Sequence, residues 1–265
     1  MTDSARASSS RMPAVFLGHG SPMNTLAQNR YTSAWRQLGE SLPRPGGILA
    51  ISAHWYVAGT AVTAMAMPKT IHDFGGFPQA LFDVQYPAPG DPALAERVRA
   101  MLSPVAVGLD HSWGLDHGTW SVLAHVYPQA DVPVVQLSID ARQPGSFHYQ
   151  LAQRLRPLRD EGILILGSGN VVHNLRAINW EPDAPAFDWA ARFNGFVRDH
   201  LERGDHAPLV AYEALGADAR LAVPTPEHYL PLLYVMGLQE KGERAEFPVD
   251  GIQNSSIGML SLKIG

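Results

Sequence analysis

The chain contains no cysteine. That absence removes disulfides, thiolate nucleophiles and sulfur-ligated zinc sites together, so any metal must be held by nitrogen and oxygen. An excess of positive charge is missing too: 20 Lys and Arg stand against 25 Asp and Glu, a formal net charge of -5. Without a basic footprint, neither nucleic acid nor an anionic membrane surface is an expected partner. No apolar run approaches the roughly 18 residues of a membrane span. The first stretch, MTDSARASSSRMP, has no apolar segment of the kind a secretory signal carries. The expectation is a cytoplasmic protein, a monomer or small homo-oligomer, with residues 1–11 a disordered N-terminal segment. Internal repeats, charge blocks and long linkers are also absent, so residues 12–265 read as one domain.

What the chain does have is apolar material in short pieces. Hydrophobic residues make up 46% of its 265 positions, ample for a sizeable core. Runs rich in Val, Ile and Leu recur as PAVFLG (13–18), GGILAIS (46–52), TAVTAM (60–65), VAVGL (105–109), VPVVQLS (132–138), GILILGSG (162–169) and SIGMLSLKI (256–264). These read as strands. Segments 91–103, 146–160 and 186–203 space apolar residues by three and four and read as helices, the first opened by Asp91 as N-cap before Pro92. Strands alternating with helices predict an α/β fold with a central, largely parallel or mixed sheet flanked by helices on both faces. The Gly- and Pro-rich stretch IHDFGGFPQALFDVQYPAPGDP (71–92) is the longest irregular segment, and its length predicts a covering role.

Histidine is abundant, with 11 in the chain. Position matters more than number, because ligands in α/β sheets bind beyond the carboxyl ends of strands. Four histidines fall where the predicted runs finish: His19 in FLGHGSP, His54 in SAHW, His117 in LDHGTW and His173 in GNVVHN. His228, in PTPEHYLPLL, stands at the start of a predicted late helix. Imidazole suits Zn(II) and Fe(II), and His19 and His54 read as two ligands offered from neighbouring strands. The glycines on either side of His19 read as clearing space for an ion. His125, His148, His200 and His206 read as surface or packing residues. His72 reads equally as a loop residue or a substrate contact, and His111 is open. Asp73 and Asp116 adjoin histidines, yet neighbouring side chains on a strand point apart, so turn-capping or solvent exposure competes with an orienting role.

Other motifs fall away. GSGN (167–170) lacks both the Walker pattern and the dinucleotide spacing, which excludes a nucleotide site. Ser21 has no GxSxG elbow around it and is followed by Pro22, which argues against a serine hydrolase.

Taken together, FLGHGSPMN, SAHWY, TIHDFGGFPQALFDVQYPAPG (70–90), WGLDHGTW, VPVVQLSID, GSGNVVHNLR and PTPEHYLPLLYV resemble the DODA-type extradiol aromatic ring-opening dioxygenases, the class III or LigB-like group. The resemblance runs from about residue 12 to the C-terminus and implies that 12–265 is an extradiol dioxygenase catalytic domain. It implies one divalent metal, Fe(II) for activity with Zn(II) possible on purification, held by His19, His54 and His228. His173 is similar to a histidine described in the family either as a further metal ligand or as the acid/base, and the resemblance implies both roles for it. His117 resembles the second active-site histidine. Where relatives place a glutamate ligand this chain has Glu227 beside His228, with His228 preferred. The implied reaction inserts both atoms of O2 into a catechol such as L-DOPA, with 4,5-cleavage to the seco-DOPA semialdehyde. The nearby imidazole, assigned to His173, takes the second hydroxyl proton. A loop of Phe74, Phe77, Phe82 and Tyr86 is the expected wall of the cavity. A zinc-dependent hydrolase and a non-enzymatic LigB-like interaction protein are the competing classes.

Overall fold

The fold is taken from a computed structural model that describes residues 11–181 and 184–265. The expected disordered segment lies outside these residues except for Arg11, which pairs with Asp160 at 2.7 Å and Glu240 at 2.6 Å.

Ten strands form among the described residues: β1 Ala14–Gly18, β2 Gly47–Val57, β3 Thr60–Thr63, β4 Val107–Asp110, β5 Val134–Asp140, β6 Ile163–Gly169, β7 Ala245–Glu246, β8 Ile252–Gln253, β9 Ile257–Gly258 and β10 Leu262–Ile264. Eight of them make one mixed sheet in the order β4-β3-β5-β2-β6-β1-β10-β7, while β8 and β9 pair separately. Its centre, β5-β2-β6-β1, is parallel. At the flanks β3 runs against β5, and β10 against β1. Because side chains alternate along a strand, each central strand feeds two cores. Phe16, Leu49, Ile51, Leu137 and Ile165 point into one, and Leu17, Ile48, Val134, Leu164 and Leu166 into the other. Burying each such side chain contributes about 1.5–3 kcal/mol.

The helices are α1 Arg30–Ser41, α2 Gln79–Phe82, α3 Pro92–Met101, α4 His117–Val126, α5 Gly145–Arg154, α6 Pro157–Asp160, α7 Asp188–Arg203, α8 Ala207–Val210, α9 Ala217–Ala222 and α10 Leu230–Leu238. Helices α3, α5, α7, α9 and α10 cover one face, and α1 and α4 the other. Asp91 caps α3 as expected, accepting from the N–H groups of Ala93 and Leu94. The segment read as one helix over 146–160 is two, α5 and α6, divided before Pro157, which has no N–H to continue the ladder. The run read as one strand over 256–264 is likewise two, β9 and β10 in different sheets. No helix among the described residues is long and apolar enough to cross a membrane.

Strands β1, β6 and β2 run the same way, so their carboxyl ends share one edge of the sheet. The loops leaving that edge meet the N-terminus of α4 from one layer and the segment before α10 from the other.

Candidate metal centre

His19 follows β1 directly and is buried. His54 lies inside β2, not after it, in the stretch where the register against β5 breaks between Ile51 and Tyr56. This irregularity lies beyond Ser52, where pairing with β6 ends. The two histidines do not come from neighbouring strands as expected, since β6 runs between β1 and β2. His228 arrives from the opposite direction, two residues before α10. Each of the three contributes one nitrogen to a group whose members all lie within 4.8 Å of one another. The Nε2 atoms of His19 and His54 are 3.3 Å apart. Two nitrogens at about 2.1 Å from one ion can stand at most about 4.2 Å apart, so this spacing fits a shared cation.

The other ring nitrogen of each is already engaged. Ser168 Oγ donates its proton to the Gly118 carbonyl, and so accepts from His19 Nδ1 at 3.0 Å. His54 Nδ1 stands 3.3 Å from Asp73 Oδ2, and His228 Nδ1 donates to Glu227 Oε1 at 3.2 Å. With the proton held on Nδ1, each ring keeps its Nε2 lone pair for a metal. Burial, reinforced by the neighbouring imidazoles, holds His19 and His228 well below the ordinary histidine range. Burial first, and then His117, bring His54 to about 3 against the opposing pull of Asp73. Neutral rings are what a cation requires. The residues therefore fit a divalent ion with three protein ligands.

Two further histidines flank this group. His117 is the first residue of α4, not the end of a strand, and its ring centre lies 3.8 Å from that of His54. His173, four residues past β6, stacks on His228 at 3.5 Å with an interplanar angle of 6°. Burial lowers His173 to about 4, with Glu227 opposing. Glu227, the alternative third ligand, sits at the Nδ1 edge of His228 and outside the three-histidine group. Phe74 meets His117 edge-on at 5.3 Å and packs on Phe77 and Phe82, as expected of a wall. Tyr86 is instead a core residue, buried with its hydroxyl donating to the Tyr127 carbonyl.

The remaining histidines stand apart. His125 bonds the Asn24 carbonyl and His148 the Tyr234 hydroxyl, both buried. His200 bonds Phe196 O on its own helix, and His206 faces the Tyr149 hydroxyl. His72 bonds the Val84 carbonyl within its loop, and His111 is exposed.

The glycines beside His19 serve a different purpose from the one expected. A Cβ on Gly18 would lie 2.8 Å from the Met259 backbone, and Gly20 has φ +61 with the Met259 side chain against it. Their space is filled by protein, not by an ion. The GSG of β6 works the same way: side chains on Gly167 and Gly169 would collide with the carbonyls of Pro231 and His228. These glycines let the start of α10 settle on the sheet and so deliver His228.

Asp73, weighed in the sequence between an orienting role and turn-capping or solvent exposure, faces two histidine rings that are not its sequence neighbours. It lies on the irregular segment between β3 and α3 and reaches both His54 and His117. The histidine it adjoins in sequence, His72, bonds the Val84 carbonyl instead. Asp116 caps α4 through the Thr119 N–H, and burial, then Asp73, push its carboxyl upward.

Residues 10–264 match the family described as the catalytic LigB subunit of aromatic ring-opening dioxygenase. The chain is 54% identical over 262 residues to 4,5-DOPA dioxygenase extradiol of Escherichia coli K12, covering 97% of this chain and 96% of that one. It is 38% identical over 238 residues to the Beta vulgaris protein of the same name, covering 87% and 88%. Dioxygenase tasH of Hapsidospora irregularis is 31% identical over 263 residues, covering 90% of this chain and 81% of its own. A crystal structure of an uncharacterised E. coli K12 protein superposes with a TM-score of 0.85 at 48% identity, over 96% of this chain and all of that one. The chain belongs to the LigB family of aromatic ring-opening dioxygenases and is a ring-cleaving enzyme.

Proposed function

We propose that this enzyme cleaves L-DOPA at the 4,5 bond to the seco-DOPA semialdehyde, with His19, His54 and His228 holding one divalent metal, Fe(II) in the active form. The observation that carries the metal reading is the group of three imidazoles, two buried and His54 half-buried, each with a polar partner at Nδ1 and Nε2 turned to the group. The substrate rests on the names of the relatives at 54% and 38% identity. When bound, Fe(II) eases deprotonation of the catechol and offers dioxygen a place beside it. His173 takes the second hydroxyl proton; its ring lies against His228 and not in the three-nitrogen group, which favours acid/base work over a fourth ligand. His117 works on the other side, next to His54, where Phe74 keeps water from the ring. The family match favours this reading over a zinc-dependent hydrolase or an interaction protein. Zn(II) binds nitrogen sites more tightly than Fe(II), so purified protein carrying zinc is compatible with an iron enzyme.

The test is anaerobic loading with Fe(II), addition of L-DOPA, then admission of oxygen. Oxygen uptake with a yellow product is the expected result, and bound iron without oxygen uptake refutes the reading. His173→Ala keeps its metal and loses turnover if it is the acid/base, and loses metal if it is a ligand. His200→Ala, altered on α7, leaves both intact.

A further inference from the structure

Asp73 makes three contacts with two imidazole-bearing residues. Its Oδ1 accepts the backbone N–H of His117 at 2.8 Å and stands 3.0 Å from that residue's Nδ1, while Oδ2 stands 3.3 Å from His54 Nδ1. The side chain is 16% exposed, so these contacts are little diluted by water. The backbone bond matters most. The first N–H groups of a helix have no partner within it, and in α4 two carboxylates share them: Asp116 takes Thr119, and Asp73 takes His117. Asp73 is thereby pinned to the main chain at Oδ1, and Oδ2 is left for His54. Each ring has a carboxylate oxygen within ion-pair distance of Nδ1, off the line of a hydrogen bond at His117, and that negative charge favours a proton on Nδ1, which leaves Nε2 free.

We propose that Asp73 is a positioning residue serving both imidazoles at once, setting the ring orientation and tautomer of His54 as metal ligand and of His117 as the second active-site histidine. This rests on the assignment of those two histidines in the proposed function. The arrangement is repeated at Glu227, which groups with His228 and with His173, the ring stacked on it. Each half of the centre thus joins one ligand, one further active-site histidine and one carboxylate. An amide at position 73 has the same shape but only one accepting oxygen and no charge, so it cannot serve both rings.

The test compares Asp73→Asn, Asp73→Glu, His54→Ala, His117→Ala and the doubles Asp73→Asn/His54→Ala and Asp73→Asn/His117→Ala. Readouts are Zn(II) retention against a chelator, the visible spectrum of the Co(II)-substituted protein, and kcat and KM for L-DOPA at saturating Fe(II). Asp73→Asn is expected to weaken Zn(II) by about 10- to 100-fold, shift the Co(II) bands, and lower kcat with little change in KM. Asp73→Glu recovers part of each loss, and carries the same comparison if the Asn variant does not fold. In the His54→Ala background Asp73→Asn adds no further loss of Zn(II), and in the His117→Ala background no further loss of kcat. Wild-type Zn(II) retention with an unshifted Co(II) spectrum, or full additivity in both backgrounds, overturns the proposal. Wild-type Zn(II) retention in His54→Ala together with normal turnover in His117→Ala overturns the underlying assignment instead.

Discussion

Gly169 shows how little separates a scaffold residue from the metal centre. A methyl group there collides with the His228 carbonyl, which is backbone and cannot swing aside. Gly169→Ala is expected to cost about 1–3 kcal/mol, as overpacking does, and to weaken Zn(II) retention by displacing His228. Gly195, inside α7, has nothing within 4 Å of the same addition. Gly195→Ala should be stabilising by about 0.5–1 kcal/mol, and denaturant midpoints check both. A second prediction concerns His148, fully buried against Tyr234. Burial lowers it to about 4, with the Gln143 carbonyl and Asp140 opposing. The folded state therefore prefers the neutral ring, and the unfolded chain binds more protons between pH 4 and about 6.5. Stability from this residue is present above that window and lost as pH falls through it, a change on the order of 3 kcal/mol. His148→Phe should flatten that part of the stability–pH curve; an unchanged slope refutes the assignment. At this scale the sequence pointed to candidate residues, but not to their partners. His19 was legible in FLGHGSP; Ser168, which orients it, lies 149 residues away.

Among the elements, α10 places His228, and it does so by being apolar on every side. All nine residues, Leu230 to Leu238, are buried between the sheet and α5. Such a helix has no stripe for a pattern to reveal, which is why only its start was legible. Leu233→Ala should cost about 2–5 kcal/mol, measured by equilibrium unfolding, because the surrounding Leu151, Ala152 and Leu232 belong to one packed cluster and cannot collapse freely. The segment 71–92 was read as covering something, and it does: Asp73 and Phe74 reach the histidines, while Trp120 of α4 holds the loop through the Ile71 carbonyl at 2.8 Å. The helix at 117–126 went unread, since it is buried almost throughout and its start is marked by a cap, Asp116, that doubles as a site neighbour.

For the whole molecule, a bound cation should act as a stabilising ligand. Metal that binds the fold at 100 times its dissociation constant adds about 2.7 kcal/mol, worth several degrees at this chain length. Stripping the protein with a chelator is expected to lower Tm, and Zn(II) to restore it. In His19→Ala the restoration should vanish; an undiminished rise there places the metal elsewhere.

The sequence by itself determined the central strands and the α/β class and singled out five histidines as candidates, because apolar runs and the chemistry of imidazole are local properties. Only the tertiary structure decided that β6 would separate β1 from β2, that glycines would make room for backbone, and that Asp73 would join two rings it never neighbours in the chain. Those outcomes depend on which segments cross in space, and no local pattern encodes a crossing.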